Sequence, residues 1–221
     1  RELLARKGVT NVTVAGDTRF DRVLDICRQA KDLPLVKAFK QDAKVLVAGS
    51  SWAPDEDLII PYFNAHPEMK LVLAPHVVSE DHLKEIEGKL RRPFVRYSRV
   101  TEESAARADC LIIDGYGLLS SIYRYGEMAY VGGGFGVGIH NVPEAAVYGV
   151  LIGPNNRKFR EAQDLLREGG CLEVTDADTF GRTMDRLLSD GKFLAERGRI
   201  AGQYIERNAG ASDLIFDSVK F

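Results

Sequence analysis

Short, nearly unbroken apolar runs alternate with amphipathic stretches along most of this chain. The runs at 44–50, 70–74, 110–113, 128–131, 150–152 and 171–174 predict strands, and 93–97 predicts one more. Few of them alternate apolar with polar positions. A strand written that way is buried on both faces, as in a parallel sheet covered by helices. Between the runs the apolar spacing turns helical. Phe20, Val23, Leu24 and Cys27 share one face of a helix over 20–31. Pro34 opens a short helix through 39, and Pro54 one to about 64 with Asp55, Glu56 and Asp57 in its first turn. Ser79 and Thr101 stand as caps before helices at 79–90 and 101–104. Further helices are expected over 118–125, 141–148, 159–168, 178–188, 192–208 and 212–219. Residues 12–15 are a short apolar run ending in the turn Gly16-Asp17. The fold class that follows is α/β: a Rossmann-like parallel sheet with helices on both faces. Without repeats or long Gly/Ser linkers, 1–221 reads as a single domain.

The densest motif follows the run at 128–131: Gly132, Gly133, Gly134, Phe135, Gly136, Val137, Gly138, Ile139, His140, Asn141, then Pro143 and Glu144. Strand, glycine-rich turn and helix start in that order form a common anion site. Glycines let backbone approach a ligand, and the free N–H groups of the helix start face a phosphate. Glu144 lies one turn in, within reach of ribose hydroxyls beside that phosphate. It also stands three residues after Asn141, the spacing of a capping box. Both roles stay open, as does a turn that merely packs. The spacing Gly134-x-Gly136-x-Gly138 invites a dinucleotide reading, but the next strand ends at Gly153-Pro154 without the acid that fingerprint needs.

In a parallel sheet, ligands gather at the carboxyl ends of the strands. Four loops there carry candidates: Ser50 and Ser51; Pro75 and His76; Gly115, Gly117 and Leu118; and the Gly132–Asn141 turn. The serine hydroxyls suit a phosphate or simply a helix approach. Trp52 beside them reads as packing. The backbone near Gly115 to Leu118 suits a base edge. Asp55, Glu56 and Asp57 read as solvated helix-start acids, and Asp109 and Asp114 as solvated turn residues.

Composition narrows this further. The chain has 221 residues, net charge −2 and 45 % hydrophobic residues, an ordinary globular balance without the broad basic surface that holds nucleic acid. No apolar run approaches the roughly 18–20 residues of a membrane helix, so this stretch is expected to be soluble. Cys27, Cys110 and Cys171 are scattered and read as reduced. His66, His76, His82 and His140 form no ligand-like pair, so no metal is expected. Residues 1–8 look like the last turns of a helix stopped by Gly8, which suggests a piece of a longer protein. Paired carboxylates for acid–base chemistry are not evident.

Four segments carry a resemblance. Ala15-Gly-Asp-Thr-Arg-Phe-Asp21 is similar to a Gly-Asn-x-Lys-Phe-Asp pattern. Val47-Ala-Gly-Ser-Ser51 followed by Asp55 and Glu56 is similar to Ala-Gly-Ser-Thr-His…Glu-Glu. Ala129-Tyr-Val-Gly-Gly133 with Gly138, His140, Asn141 and Glu144 matches Phe-Val-Gly-Gly-Ser…Gly-Gly-His-Asn-x-x-Glu. Gly153-Pro154 with Asn156, Phe159, Arg160 and Glu161 matches Gly-Pro-His…Asn-Phe-Arg/Lys-Glu/Asp. Together they make the chain resemble the C-terminal half of the bacterial 3-deoxy-D-manno-octulosonic acid (Kdo) transferases, two-domain glycosyltransferases of the GT-B type. There are departures. Trp52 stands where the family has histidine, Pro75-His76-Val77 lacks its arginine, and Asp114-Gly-Tyr-Gly-Leu-Leu119 replaces its Gly-Asp-Thr-x-Gly-Glu-Leu turn.

The resemblance implies a donor domain for CMP-Kdo, with no cofactor and no metal, serving inverting transfer to a lipid A precursor. It places the work at the cytoplasmic face of the bacterial inner membrane, with acceptor and membrane contacts made by an N-terminal half absent from this chain. The catalytic base belongs to that half, so this chain alone is expected to be inactive. The implied donor site is Gly132, Gly133, Gly134, His140, Asn141 and Glu144, with Gly115, Gly117 and Leu118 at the base, and Ser50, Ser51, Pro75 and His76 near the phosphate or the Kdo carboxylate. A UDP-sugar transferase or epimerase, or a nucleotide-binding module without chemistry, are the alternatives.

Overall fold

The runs read as strands do pair, in a seven-stranded, fully parallel sheet of order β3-β4-β2-β1-β5-β6-β7. A computed structural model describes residues 1–29, 32–146 and 149–219 of the chain. In sequence the elements are α1 (Glu2–Ala5), α2 (Thr18–Gln29), α3 (Pro34–Lys40), β1 (Lys44–Ser51), α4 (Ala53–Ala65), β2 (Met69–Pro75) and α5 (Glu80–Lys89). Then come β3 (Phe94–Arg96), α6 (Glu102–Arg107), β4 (Cys110–Ile112), α7 (Leu119–Ile122), β5 (Met128–Val131) and α8 (Val142–Ala145). Finally β6 (Gly149–Ile152), α9 (Arg160–Glu168), β7 (Cys171–Glu173), α10 (Ala177–Ser189), α11 (Gly191–Asn208) and α12 (Ala211–Ser218) complete it.

The strand composition has a direct cause. Val45, Val47, Val72, Leu111, Ala129, Val131, Val150 and Ile152 face one core, shared with residues of α2, α3, α6, α9 and α11. Their neighbours Leu46, Ala48, Leu71, Leu73, Cys110, Ile112, Met128, Tyr130 and Leu151 face a second core under α4, α5 and α10. Successive side chains point to opposite faces, and both faces are covered, so most strand positions are apolar. Cys110 and Cys171 lie in these cores, whereas Cys27 is exposed on α2. Ser79 caps α5 by accepting from the His82 amide at 3.3 Å, and Thr101 caps α6 by accepting from the Ser104 amide at 3.2 Å.

Three expected elements come out differently. The helix expected over 141–148 is the single turn α8, and residues 147 and 148 lie outside the described residues, as do 30 and 31 of the expected 20–31 helix. The stretch 118–125 divides into α7 and a 3-10 turn, Tyr123–Tyr125. Residues 12–15 join no element, and Val14 is exposed.

The sheet order reverses between β1 and β5. The chain leaves β1 toward β2 on one side and later returns to pair β5 on the other. A crevice outside the carboxyl ends is built in at such a point. The end of β1 is also irregular there: its register with β2 shifts between Gly49 and Ser51, and Ser50 takes a left-handed φ of 53°.

Candidate functional site

A cleft of about 280 Å³ opens at that point. It is walled by Ser50 after β1, Ala74, Pro75 and His76 from β2, Ile113, Gly115, Tyr116 and Gly117 after β4, Leu119 and Ser120 of α7, and Glu144 of α8. Four loops far apart in sequence therefore converge on one hollow. Larger hollows occur elsewhere, one of about 370 Å³ between β3 and α6. It lies at the sheet's edge, away from the strand carboxyl ends, and gathers none of the candidate residues.

The glycine-rich turn is built differently from the expected open cradle. A side chain on Gly132 would stand 2.3 Å from the Ser50 carbonyl oxygen, and one on Gly134 2.5 Å from the Gly153 backbone. Gly133 has φ 92°, and its N–H donates to Asp55 Oδ2 at 2.8 Å. These three glycines are required by chain-on-chain packing, and the Gly133 amide is already committed to the protein. The turn closes on itself through the amides of Gly136 and Gly138, both donating to the Gly133 carbonyl, and the His140 amide donates to that of Gly132. α8 is four residues long, so it presents the N–H groups of one turn rather than a long helix dipole.

Asp55 is the hub of this arrangement. Fully buried at the start of α4, it accepts from Tyr130 Oη at 2.7 Å through Oδ1. Through Oδ2 it accepts from the Trp52 amide at 2.9 Å and from Gly133. β1, α4, β5 and the glycine turn are thus tied at one carboxyl. Glu56 is equally buried: its Oε1 accepts from Ser51 Oγ at 3.0 Å and contacts His82 Nε2 at 3.1 Å, while its Oε2 has no partner among the described residues. Asp57 alone of the three acids is exposed, pairing with Lys89 at 2.9 Å. Reading all three as solvated is therefore corrected. The carboxyl-end loops meet directly over the N-terminus of α4, and acids there are covered by the next loop.

Other candidates sort as follows. Ser51 is fully buried, with its hydroxyl given to Glu56, so the phosphate role expected of it is corrected. Ser50 and His76 do line the cleft, as do Pro75, Gly115 and Gly117. Leu118 packs on the core instead, and Leu119 and Ser120 take the wall position. Asn141 occupies the N-cap place of α8 without a capping bond from its side chain. Its Nδ2 donates to Glu144 Oε1 at 2.7 Å, and its Oδ1 is buried without a partner among the described residues. Asp114 accepts from the amide and hydroxyl of Ser98 and is held rather than free.

Trp52, expected to pack, lies against both site histidines. Its ring stacks on His76 with centroids 4.6 Å apart, and its Nε1 donates to His140 Nε2 at 3.0 Å. Tyr116, 78 % exposed between two glycines, stands on the cleft wall. An exposed aromatic on a loop between glycines was a visible signal for a flat ligand. Among the described residues, no group of three or more His, Cys, Asp or Glu side chains is placed to hold a metal.

Burial lifts the Glu56 carboxyl above its ordinary value of 4.5, opposed by His82 and the Ser51 hydroxyl. Such a group binds its proton more readily folded than unfolded. Its favourable contribution is full below the unfolded value and is lost as pH rises through the folded one. Glu56→Gln is therefore expected to flatten the loss of stability on the alkaline side of about pH 4.5. Urea midpoints for both chains at several pH values between about 4 and 8 test it. Parallel curves would place the proton elsewhere.

No family model matches the chain. The Kdo transferase of Aquifex aeolicus is 28% identical over 211 residues, 90% of this chain and 55% of that protein. That of Chlamydophila psittaci is 30% identical over 145 residues, 62% of this chain and 33% of that protein. The chain is a relative of the Kdo transferases. It spans about half the length of the Aquifex protein. In structure it is similar to the C-terminal CMP-Kdo binding domain of WaaA from Acinetobacter baumannii, with a TM-score of 0.67 at 20% identity, over 84% of this chain and 97% of that one. The fold is that of a GT-B C-terminal domain. Among the described residues no helix is long and apolar enough to cross a membrane.

Proposed function

We propose that this chain is the donor-binding half of a Kdo transferase and holds CMP-Kdo for transfer to a lipid A precursor. The observation that carries the reading is the cleft at the β1/β5 reversal, with Glu144 on its wall and the Trp52–His140–His76 rings beside it. The ribose hydroxyls would donate to Glu144, which Asn141 holds in place. Tyr116 and the Gly115–Gly117 backbone would take the cytosine, the exposed ring by stacking. Ser50, His76 and His140 would surround the phosphate and the Kdo carboxylate.

The chemistry asked of this half is limited. As the glycosidic bond breaks, charge grows on the CMP phosphate, and fixed donors beside it stabilise that charge. The base that takes the acceptor proton, the lipid acceptor and the contact with the inner-membrane face belong to the other half. No metal or cofactor is needed in this scheme. The chain alone is expected to bind donor and transfer no sugar. Sugar transfer by the purified chain would overturn that assignment of the base.

Calorimetric titration with CMP, and with UMP, UDP and NAD for comparison, tests the site. CMP is expected to bind with about −4 to −6 kcal/mol, in the high-micromolar to millimolar range. A preference for UDP would keep the fold and change the donor, and the absence of any binding would reject the reading. Glu144→Ala is expected to weaken CMP by roughly 10–100-fold, the worth of a hydrogen bond to a charged group. An unchanged affinity in the folded variant would leave Glu144 only its bond with Asn141.

A further inference from the structure

Beside the cleft, the His76 ring stacks across Trp52 and His140, whose own rings lie edge to edge in nearly one plane. His76 and His140 lie with centroids 4.5 Å apart, 23° from parallel. Trp52 lies 4.6 Å from His76 and 6.4 Å from His140, only 7° from parallel with the latter. The bond that aligns these two rings runs from Trp52 Nε1 to His140 Nε2 at 3.0 Å. An indole nitrogen can only donate, so His140 Nε2 must carry a lone pair. A neutral imidazole then bears its proton on Nδ1. The Cδ2 edge of His140 is turned toward Gly133, where a side chain would come within 3.2 Å of it. Nδ1 is on the other edge of the ring and has no protein partner among the described residues.

We propose that Trp52 is a positioning residue that fixes His140 as a neutral imidazole with its proton on Nδ1, kept as a hydrogen-bond donor for an anionic group of the bound ligand. This rests on reading the cleft as a nucleotide-sugar site. The surroundings work in the same direction. Partial burial holds His140 below the usual imidazole range, and the stacked His76 adds to this, while Asp55 pulls the other way. Protonating Nε2 would set two N–H groups against each other and break the Trp52 bond. A neutral donor can bind phosphate or carboxylate without taking up a proton.

The test uses the chain with its histidines labelled with nitrogen-15. Long-range proton–nitrogen spectra of the unliganded chain are expected to show His140 with a bare Nε2 and a protonated Nδ1. Trp52→Phe keeps a ring in the stack and removes the N–H. It should give a mixture of tautomers, shift the His140 titration toward higher pH, and weaken CMP by roughly 3–10-fold, the worth of one neutral hydrogen bond. A protonated Nε2 in the native chain overturns the proposal, as does an unchanged tautomer in Trp52→Phe. A changed tautomer with unchanged CMP affinity overturns the donor role. A native chain that shows the bare Nε2 but binds no CMP removes the nucleotide reading, and the donor role with it, while the Trp52–His140 pairing stands. The two failures are thereby distinguishable.

Discussion

Asp55→Ala is expected to cost roughly 3–5 kcal/mol of stability, since it strips acceptors from three donors at once, each worth about 1–3 kcal/mol when left unmade in the interior. Those donors are the Tyr130 hydroxyl, the Gly133 amide and the Trp52 amide. None can turn to solvent without opening the seam between β1, α4 and β5, because the carboxyl they share is wholly buried. A domain of this kind has about 5–15 kcal/mol in all, so the variant should stand near the edge of folding. Urea denaturation reads the loss. Asp57→Ala, two positions on, is the control: its partner Lys89 is met at the surface, and such pairs are worth about 0–1 kcal/mol. Asp55→Asn should fall between, with one oxygen left for three donors. A loss below about 1 kcal/mol for Asp55→Ala would mean that water replaces the carboxyl, and the hub role would be lost.

The parallel sheet was legible because burial on both faces writes itself as unbroken apolar runs, as in β1 and β2. The loops that carry the site were legible because every βα loop of such a sheet ends on the same edge. What each side chain does within that edge was less so. Asp55, Glu56 and Asp57 look alike in sequence, all in the first turn of α4. Only the loop folded over them, from a strand some 75 residues later, separates the buried pair from the exposed one. Ser50 and Ser51 are likewise adjacent, and the irregular end of β1 turns one to the cleft and the other to Glu56. Trp52 looked like packing because its polar partner, His140, is 88 residues away. Local patterns carry periodicity and caps, whereas pairings across the sheet edge depend on the crossover that brings the loops together.

The glycine run shows the same limit in its sharpest form, and it carries the second large effect. Gly132→Ala is expected to cost at least the upper end of the roughly 1–3 kcal/mol typical of overpacking. The added carbon would stand 2.3 Å from the Ser50 carbonyl oxygen and 2.7 Å from Ser51 Cα. Both are backbone atoms, so no rotamer change relieves the clash. β5 must move away from β1, which also strains the bond from the Gly132 amide to the Gly49 carbonyl at 2.9 Å. Gly136, in the same run, has nothing among the described residues within 4 Å of an added carbon and a φ outside the left-handed region, so Gly136→Ala should leave stability within about 0.5 kcal/mol. The pair separates two explanations for a glycine-rich turn that composition cannot tell apart. If packing is the reason, Gly132→Ala shifts the urea midpoint and Gly136→Ala does not. If both variants keep full stability and lose CMP alike, the glycines serve the ligand's approach and the close contact at Ser50 yields at little cost. Because Ser50 stands on the cleft wall, the packing outcome also carries a functional consequence: Gly132→Ala should weaken CMP through displacement of β1, in proportion to the stability lost, while Gly136→Ala leaves the affinity unchanged.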